Sequence, residues 1–418
     1  MAIPANILQQ VQTYQMAGLA YLDNLNCFIT TSNKKFKDFE KMTGNLGDTV
    51  GFDLPPRMTT TSSLVATWQP ADQRIQTLTC GNAISTSYSF TSQQIVFNDV
   101  ETYMKKWGKS ATEEIGAKIE ANVAKNCVTN TYRFYGDGVT PINSYTQLAN
   151  ALALFRNYGA AKGEAKGYLA DTVTPNIVGS GLNQFAEKRN NEIANSWEVG
   201  EFKRCDWYES NLLPIHTAGS EGVNGTTLTV VSFTQNGPNG EIDTITFSGT
   251  HAASDASSVL QYDKFQFNDG VAGKPNVRYL TFIGHEVSAN PVQFQATADA
   301  ASTGGSQVTV SIYPLLQAAP NQNDQNLSTQ IQAGMQVSVL PSHRAGMITA
   351  GDPLFLAMPR LADQAPYPTG NEVDPETGVT MRMTWGTILG QNQQGFIHDA
   401  IWGSTLVPEY AMALIFPL

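Results

Sequence analysis

Charged side chains are scarce in this chain. Asp, Glu, Lys and Arg make up 15% of its 418 residues, well under the usual quarter, and the formal net charge is −11. Binding to a nucleic-acid backbone by counterion release needs clustered Lys and Arg. The composition therefore argues against a protein that grips DNA, and we predict no sequence-specific nucleic-acid binding.

Long apolar runs and secretion signals are also lacking. No apolar run approaches the ~20 residues of a membrane-spanning helix. The N-terminus, MAIPANILQQ, has neither a basic region nor a continuous apolar core. We expect a soluble chain with no membrane partner and no export by a signal peptide. Hydrophobic residues make up 41% of the chain, enough to bury cores, and the length allows two or three domains.

Cysteine is rare, and no pattern of catalytic or ligating residues is present. The four cysteines are far apart, so we predict neither a zinc site nor a disulfide framework. The histidines show no HExxH or other ligand spacing, and no GxSxG motif occurs. We therefore predict no catalytic, cofactor-binding or metal site, and we expect each isolated histidine to be a hydrogen-bonding residue. These residues are Cys27, Cys80, Cys127, Cys205, His216, His251, His285, His343 and His398.

The strongest positive pattern is Asp99–Cys127, which predicts one long amphipathic helix. Asp99 is a good N-cap, Glu101 lies in the first turn and Lys125 in the last, as the helix dipole favours. At 1.5 Å per residue the helix would be about 40 Å long, so we expect it to lie along an extended structure. Apolar residues recur every three or four positions. This stripe consists of Val100, Met104, Trp107, Ala111, Ile115, Ile119, Val123 and Cys127.

Before this helix, the sequence pattern predicts an N-terminal helix followed by a polar, strand-rich segment. Residues 3–25 have helical spacing and predict an arm that packs either on a neighbouring copy or on its own domain. Gly44–Phe97 is rich in Thr and Ser and thin in hydrophobic residues, so we expect this ribbon to lean on another chain. Period-two segments within it predict antiparallel strands starting at Thr49, Ser63, Arg74 and Ala83.

After the long helix, mixed short elements predict an α+β layer domain, and residues 217–341 stand apart as a β block. A helix is predicted over Tyr145–Tyr158 and a buried strand within Gly167–Pro175. The β block has nine acidic and three basic residues, so it carries −6 of the net charge. Seven short strands predict a small β barrel inserted into another domain. They start at Thr227, Asp243, Lys264, Val277, Val292, Gln307 and Met335.

Residues 342–418 return to the earlier mixed character. Strands are predicted at Leu354–Met358, at Thr380–Trp385 and, with a turn, at Phe396–Gly403. The strongly apolar tail from Leu406 to Pro417 is predicted to lie in a core.

Eight segments occur along the chain in a characteristic order. They are GDTVGFDLPP at Gly47, SYSFTSQQIVFNDVETYM at Ser87, NLLPIHTAG at Asn211, YDKFQF at Tyr262, GGSQVTVSIYP at Gly304, QAAPNQND at Gln317, HRAGMITAGDPLFLAMPRLADQ at His343 and GVTMRMTW at Gly378. These segments and the order of the predicted elements resemble the coat proteins of tailed bacteriophages, most closely the short-tailed-phage branch with an inserted β domain. The likeness covers nearly the whole chain, and it is the order of the segments that is specific.

The resemblance implies the α+β Hong Kong 97-like phage capsid fold, with axial and peripheral domains, a long spine helix, an extended β loop, an N-terminal arm and an inserted small β-barrel domain. The loop contains no lysine, so the lysine–asparagine cross-linking of some relatives is not expected. The implied assignment is 1–43 for the arm, 44–97 for the extended loop, 98–145 for the peripheral domain with the spine helix, 146–216 for the axial domain, 217–341 for the inserted domain and 342–418 for the return to the axial and peripheral domains.

The implied function is that of a major capsid protein, without enzymatic activity, that self-assembles into the icosahedral shell around the double-stranded DNA genome of a tailed bacteriophage. The implied partners are further copies of the chain in pentamers and hexamers and a portal protein at one vertex. Because the N-terminal region is too short for a built-in scaffold, a separate scaffolding protein is expected as well. A decoration protein is left open. The expected location is the virion, preceded by the host bacterial cytoplasm during assembly.

Three other classes stay open at this point. The first is an encapsulin-like protein cage subunit, which shares the fold but usually lacks the β insertion. The second is a phage tail or adhesion β protein. The third is an enzyme with an accessory β domain, which would need a cleft of perturbed titratable groups.

Overall fold

The computed structural model describes residues 27–34, 49–54, 58, 60, 64, 68, 74–97, 100–159, 164–179, 198–201, 204–281, 284–319, 323–373, 378–388 and 390–418. The predicted arm helix and most of the predicted strand at Ser63 lie outside these residues. The chain divides into two compact units that alternate along the sequence. Unit 1 contains Met1–Phe52, Ile75–Cys127 and Asp352–Leu406, and unit 2 contains Asp53–Arg74, Val128–Gly351 and Val407–Leu418.

Strands dominate the described residues. The helices are α1 (Cys27–Thr31), α2 (Ser92–Phe97), α3 (Val100–Thr129), α4 (Tyr145–Asn157), α5 (Thr174–Gly179) and α6 (Ser220–Val223), with a 3-10 turn at Pro408–Tyr410. The strands are β1 (Thr49–Leu54), β2 (Arg74–Thr79), β3 (Asn82–Thr91), β4 (Phe134–Tyr135), β5 (Ala165–Ala170), β6 (Glu198–Glu201), β7 (Cys205–Ser210), β8 (Ile215–His216), β9 (Thr227–Thr234), β10 (Ile242–Ser248), β11 (Asp255–Val259), β12 (Lys264–Phe267), β13 (Arg278–Leu280), β14 (Val287–Pro291), β15 (Gln293–Ala296), β16 (Ala300–Thr303), β17 (Gln307–Leu316), β18 (Gln336–Val339), β19 (His343–Ala350), β20 (Leu354–Ala357), β21 (Thr369–Val373), β22 (Thr380–Ile388), β23 (Gln393–Leu406) and β24 (Ala411–Pro417).

The long helix is confirmed as α3, with 30 residues and therefore a length of about 45 Å. Its apolar stripe is buried from Ala111 to Cys127, but the prediction was wrong for Trp107, which is 49% exposed. At this turn the buried position is Gly108, where an added Cβ would lie 3.5 Å from the Tyr88 hydroxyl. One residue rotates the helix by about 100°, so Trp107 points away from that contact. Asp99 lies outside the described residues.

Unit 1 is built on a five-stranded sheet in the order β20-β23-β22-β21, with β3 also paired to β23. Strand β3 pairs with β23 in register from Asn82 to Thr91. This part of the predicted ribbon is therefore a strand of the chain's own sheet, because Tyr88 and Phe90 pack against the buried Phe396.

Ser92–Phe97, the end of the predicted ribbon, forms α2. One further prediction in this region was wrong. No turn interrupts β23 at Gly403, and the strand continues to Leu406.

Unit 2 contains a seven-stranded sheet in the order β4-β24-β19-β5-β7-β6, with β8 paired to β19. The apolar tail is confirmed as core, since six consecutive residues of β24 are buried, as in strands that are covered on both faces. The helix predicted over Tyr145–Tyr158 is confirmed as α4. Its Ser144 cap accepts a hydrogen bond from the Gln147 amide, and its apolar face is buried. Gly167 on β5 leaves room for the Trp207 ring, which would lie 2.3 Å from an added Cβ.

The β block of unit 2 forms an eight-stranded sheet whose pairing closes on itself. The order is β10-β9-β18-β12-β15-β17-β16-β11, and β10 also pairs with β17, so six strands form a ring. These six strands were predicted. The seventh, β13, pairs instead with β14 in a separate sheet. Inside the ring the phenyl groups of Phe247, Phe265 and Phe294 stack with interplanar angles of 5–6°. The treatment of this block as an inserted domain stays a prediction.

Candidate assembly surface

Large apolar side chains are exposed at the start of β2 and at three positions that precede it in the sequence. Met58, Leu64, Trp68 and Ile75 each expose more than half of their surface, and Leu64 and Trp68 are almost completely exposed. Such a concentration of large apolar side chains in one segment is typical of an interaction site. We call Met58, Leu64, Trp68 and Ile75 the apolar segment.

The end of β2 that follows the apolar segment is packed within unit 1. Leu78 is fully buried, and it forms a small core with Cys80 and Ala357 against which Val50 and Phe52 pack. Phe52 also contacts the ring of Phe355, with 4.5 Å between the centroids. This end of the two-stranded sheet of β1 and β2 is therefore fixed by apolar contacts.

At the other end of β2, Arg74 forms a bidentate ion pair with Glu409, which lies in the 3-10 turn before β24. Arg74 Nη1 donates to Glu409 Oε2 at 3.2 Å, and Arg74 Nη2 donates to Glu409 Oε1. The two side chains are 24% and 14% exposed. A partly desolvated bidentate pair of this kind is stronger and more directional than an ordinary surface ion pair. It fixes Arg74 against the 3-10 turn before β24.

Glu409 also connects this ion pair to Arg133, whose guanidinium is fully buried. Arg133 Nη1 donates to the Glu409 carbonyl oxygen at 3.1 Å, and Nη2 donates to the Tyr279 hydroxyl. The guanidinium carbon lies 4.5 Å from the ring centroid of Tyr158, 4.7 Å from that of Tyr279 and 5.2 Å from that of Tyr132. Burial alone would lower the pKa of Arg133, but these aromatic and charged neighbours raise it. Arg133 therefore stays charged and joins α4, β13 and the 3-10 turn.

Gln293 on β15 connects the six-stranded ring of the β block to the seven-stranded sheet. Its Oε1 accepts from the Phe134 amide at 2.9 Å and from the Tyr158 hydroxyl at 3.1 Å. Its Nε2 donates to the Phe134 carbonyl at 3.0 Å and to Gln266 Oε1 at 2.9 Å. Because buried amides must be hydrogen-bonded to be tolerated, this set of contacts specifies how β15 and β4 pack.

Lys264 on β12 is a third buried connection. Its Nζ donates to the Thr131 carbonyl and, at 3.3 Å, to Gln295 Oε1. Burial lowers the pKa of Lys264 to about 7, and the nearby Asp263 opposes this shift only in part. The ammonium group is therefore close to titration at neutral pH.

Two of the isolated histidines lie beside this connection. His216 Nε2 is 2.7 Å from Asp263 Oδ1, and His343 Nδ1 is 2.7 Å from the Pro341 carbonyl. Burial lowers the pKa of His343 to about 3, so this ring is neutral. Elsewhere, His398 stacks on Tyr88, and burial lowers its pKa to about 4. His251 and His285 lie in loops of the β block.

In unit 1, Glu120 of α3 caps the short helix α1. Its two carboxylate oxygens accept from the amides of Phe28 at 2.7 Å and Ile29 at 3.0 Å. Glu120 is fully buried. Burial raises its pKa to about 7 and outweighs these hydrogen bonds, which lower it. The carboxylate thus fixes the point at which the chain leaves the region 1–26.

None of these charged residues was predicted from the sequence. The available signal was a charge flanked by apolar residues inside a strand-like segment, as for Arg133 in TYRFY and Lys264 in YDKFQF. Such charged residues are rarely buried without partners, but the sequence gives no signal that identifies which residues those partners are.

Two other kinds of feature are absent from the part of the chain that the structure describes. No group of three or more His, Cys, Asp and Glu side chains among them is arranged to hold a metal ion. Within the same part of the chain, no helix is both long enough and apolar enough to cross a membrane.

The exposed side chains of the apolar segment indicate a surface that contacts another molecule. A model of the family described as "P22 coat protein - gene protein 5" matches residues 73–355, more than half of the chain. The chain belongs to the P22 coat protein family, and its function is that of a major capsid protein of a tailed bacteriophage. The resemblance seen in the sequence is thereby confirmed.

Several solved structures are similar to the chain over most of its length. One from Mycobacterium phage Che8 is 8% identical, with a TM-score of 0.46, and the similarity covers 93% of this chain and 90% of that chain. The capsid of Ralstonia phage GP4 is 7% identical, with a TM-score of 0.41 and coverage of 89% and 84%. A virus-like particle from Pyrococcus furiosus is 6% identical, with a TM-score of 0.39 and coverage of 97% and 98%. None of the curated proteins matches the chain significantly.

Proposed function

We propose that this chain assembles into the icosahedral shell that encloses the double-stranded DNA of a tailed bacteriophage, in the Hong Kong 97-like arrangement. The observation that carries the proposal is the match of the P22 coat protein family to residues 73–355. In this arrangement α3 is the spine helix, residues 44–97 contain the extended loop, residues 1–43 form the arm and residues 217–341 form an inserted domain. Pentamers and hexamers of the chain form the lattice.

The exposure of the apolar segment also supports this proposal. Its side chains are exposed in the single chain, whereas β2 is held at Arg74 by the ion pair with Glu409 and at Leu78 by a small apolar core. Exposed large apolar side chains that precede a fixed strand in the sequence are suited to contact a neighbouring subunit. The proposed partners of the chain also include a separate scaffolding protein, during assembly in the host cytoplasm, and a portal protein at one vertex. A decoration protein is compatible with the proposal.

The proposal includes a shell interior that encloses DNA without gripping it. The chain has a net charge of −11, and an acidic lining lets packed DNA slide during filling and exit. The expected result is weak, sequence-independent binding to duplex DNA at physiological salt. Tight binding under these conditions would contradict the proposal.

Assembly itself is tested by negative-stain microscopy of the purified chain, with and without its phage's co-expressed scaffolding protein. Closed icosahedral particles are expected with the scaffold present. A chain that stays monomeric under all conditions, with scaffold included, would refute the proposal. Closed shells that form only around a loaded protein cargo would favour the encapsulin-like alternative.

The inserted domain has its own test, which is expression of residues 217–341 alone. The closed pairing of β10 with β17 leads us to expect an independently folded block with dispersed amide signals and a cooperative melt. A random-coil spectrum would show that the block needs the rest of unit 2.

A further inference from the structure

One face of the five-stranded sheet in unit 1 carries a partly open cavity of about 430 Å³. Its floor consists of Ser89 on β3, Gly395 on β23 and Gly386 on β22, which are directly paired across the three strands. Residues paired in this way point to the same face of a sheet. Because Ser89 has a small side chain and Gly395 has none, another group can approach the backbone closely at these two positions.

The walls of the cavity include two exposed apolar side chains together with the polar side chains of Ser87, Gln364 and Thr387. Ile397 is 41% exposed and Tyr367 is 45% exposed. The Tyr367 ring covers Gly386, where an added Cβ would lie 2.9 Å from its Cδ1 atom. A flat floor between an isoleucine and a tyrosine fits a planar apolar group, and the volume lies within the range of about 300–1,000 Å³ that is typical of binding sites.

A buried hydroxyl gives the cavity a specific polar feature. Thr384 lines the cavity on the same face as Ile397, with which it is paired. It is only 5% exposed, and its Oγ1 has no hydrogen-bond partner among the described residues. Buried hydroxyls are normally satisfied, so Thr384 offers an acceptor to a donor that enters the cavity.

The chain itself presents a matching group. Trp68 is 97% exposed and therefore is not covered by its own chain. An indole is planar and apolar, and it has a single N–H that requires an acceptor when it is buried. Leu64, which is also exposed, lies four residues earlier in the same segment.

We propose that the cavity on β3, β22 and β23 binds Trp68 of a second copy of this chain, whose indole N–H donates to Thr384 Oγ1. The inference rests on the proposed self-assembly and specifies one contact within it. It assigns Trp68 as the anchor of the apolar segment, with Ile397 and Tyr367 enclosing the indole. Central, well-enclosed aromatic anchors of this kind dominate the binding energy of many interfaces.

Photo-crosslinking in assembled particles tests the contact directly. Benzoylphenylalanine replaces Tyr367, and particles are formed from a mixture of this variant and isotope-labelled unmodified chains. After irradiation, mass spectrometry is expected to identify a cross-linked peptide that contains Trp68 and comes from the labelled chain. Cross-links that map to other segments, or only within one chain, would overturn the inference.

Assembly measurements with point variants provide a second test. Trp68→Ala and Thr384→Val are expected to raise the concentration needed for assembly, by about tenfold or more for Trp68→Ala, in line with the loss of an interface anchor. Trp68→Phe retains the ring without the N–H, so it should resemble Thr384→Val. Trp107→Ala removes another exposed tryptophan and is expected to have no effect. Equal assembly of Trp68→Ala and wild type would overturn the inference.

The two proposals fail in different ways. If the unmodified chain forms no particles with scaffold present, the proposed function is wrong. If it forms particles but either the cross-link or the effect of Trp68→Ala is missing, the shell function stands and the Trp68 contact is wrong.

Discussion

Replacement of Arg133 by methionine is the most informative test of the buried connections in unit 2. Methionine has a similar length and can fill the apolar part of the site, but it cannot donate hydrogen bonds. The change removes the bonds to the Glu409 carbonyl and the Tyr279 hydroxyl. It also removes cation–π contacts with Tyr132, Tyr158 and Tyr279.

The expected loss of stability follows from these contacts. Two charge-assisted hydrogen bonds contribute about 1.5–3 kcal/mol each, and the desolvated cation–π contacts add about 2 kcal/mol. Removal of a buried charge recovers several kcal/mol of desolvation cost. The net effect of Arg133→Met should therefore be a decrease of roughly 2–4 kcal/mol in the free energy of unfolding.

Arg344→Met is the matched control in the same unit. Arg344 Nη1 lies 3.0 Å from Asp171 Oδ1, but the two side chains are 25% and 41% exposed. Exposed ion pairs contribute about 0–1 kcal/mol. Urea unfolding of unassembled subunits, followed by circular dichroism, measures both variants. If Arg133→Met is no more destabilising than Arg344→Met, the buried cation does not hold the junction together.

Three further predictions concern other buried groups. The pKa of Lys264 is lowered to about 7, so above pH 7 the unfolded chain binds more protons at this site, and stability should rise with pH by up to about 1.4 kcal/mol per unit. Lys264→Met should reduce this slope between pH 7 and 9 in urea titrations, and an unchanged slope would contradict the assignment. The pKa of Glu120 is raised to about 7, so its contribution is present below pH 4.5 and is lost as the pH rises through 7. Glu120→Gln should flatten this decline, and equal slopes from pH 5 to 7 would show that burial does not control Glu120. Ile115 is fully buried, so Ile115→Asp should cost more than about 4 kcal/mol and leave no particles in negative-stain images, whereas Ala111→Ser should assemble normally; particles from Ile115→Asp would refute the packing argument.

Elements with a strong local period could be predicted from the sequence. The helix α3 has apolar residues at every third or fourth position, and strands such as β17 and β18 have alternating burial, so each of these elements carries its own evidence for its conformation. The apolar tail that forms β24 needs no partner to be recognised as core. The prediction failed at Trp107, where the sequence allows either Trp107 or Gly108 to face the core. The contact with Tyr88 on β3 makes Gly108 the buried position.

Strand partners and buried charges required the tertiary structure. The composition of Asn82–Thr91 is that of an exposed ribbon, but Tyr88 and Phe90 reach a core supplied by Phe396, more than three hundred residues later in the chain. Arg133 and Lys264 are similarly compensated by distant carbonyls and aromatic rings.

The sequence by itself determined the family of this protein and the conformation of its most regular elements. Periodicity and the order of short segments are properties of the chain alone. Tertiary structure decided which charges are buried, which strand joins which sheet and where an unpartnered hydroxyl lines an open cavity. These properties depend on pairs of groups far apart in the sequence, and the free energy of a buried polar group is set by the partner it meets and not by its own identity.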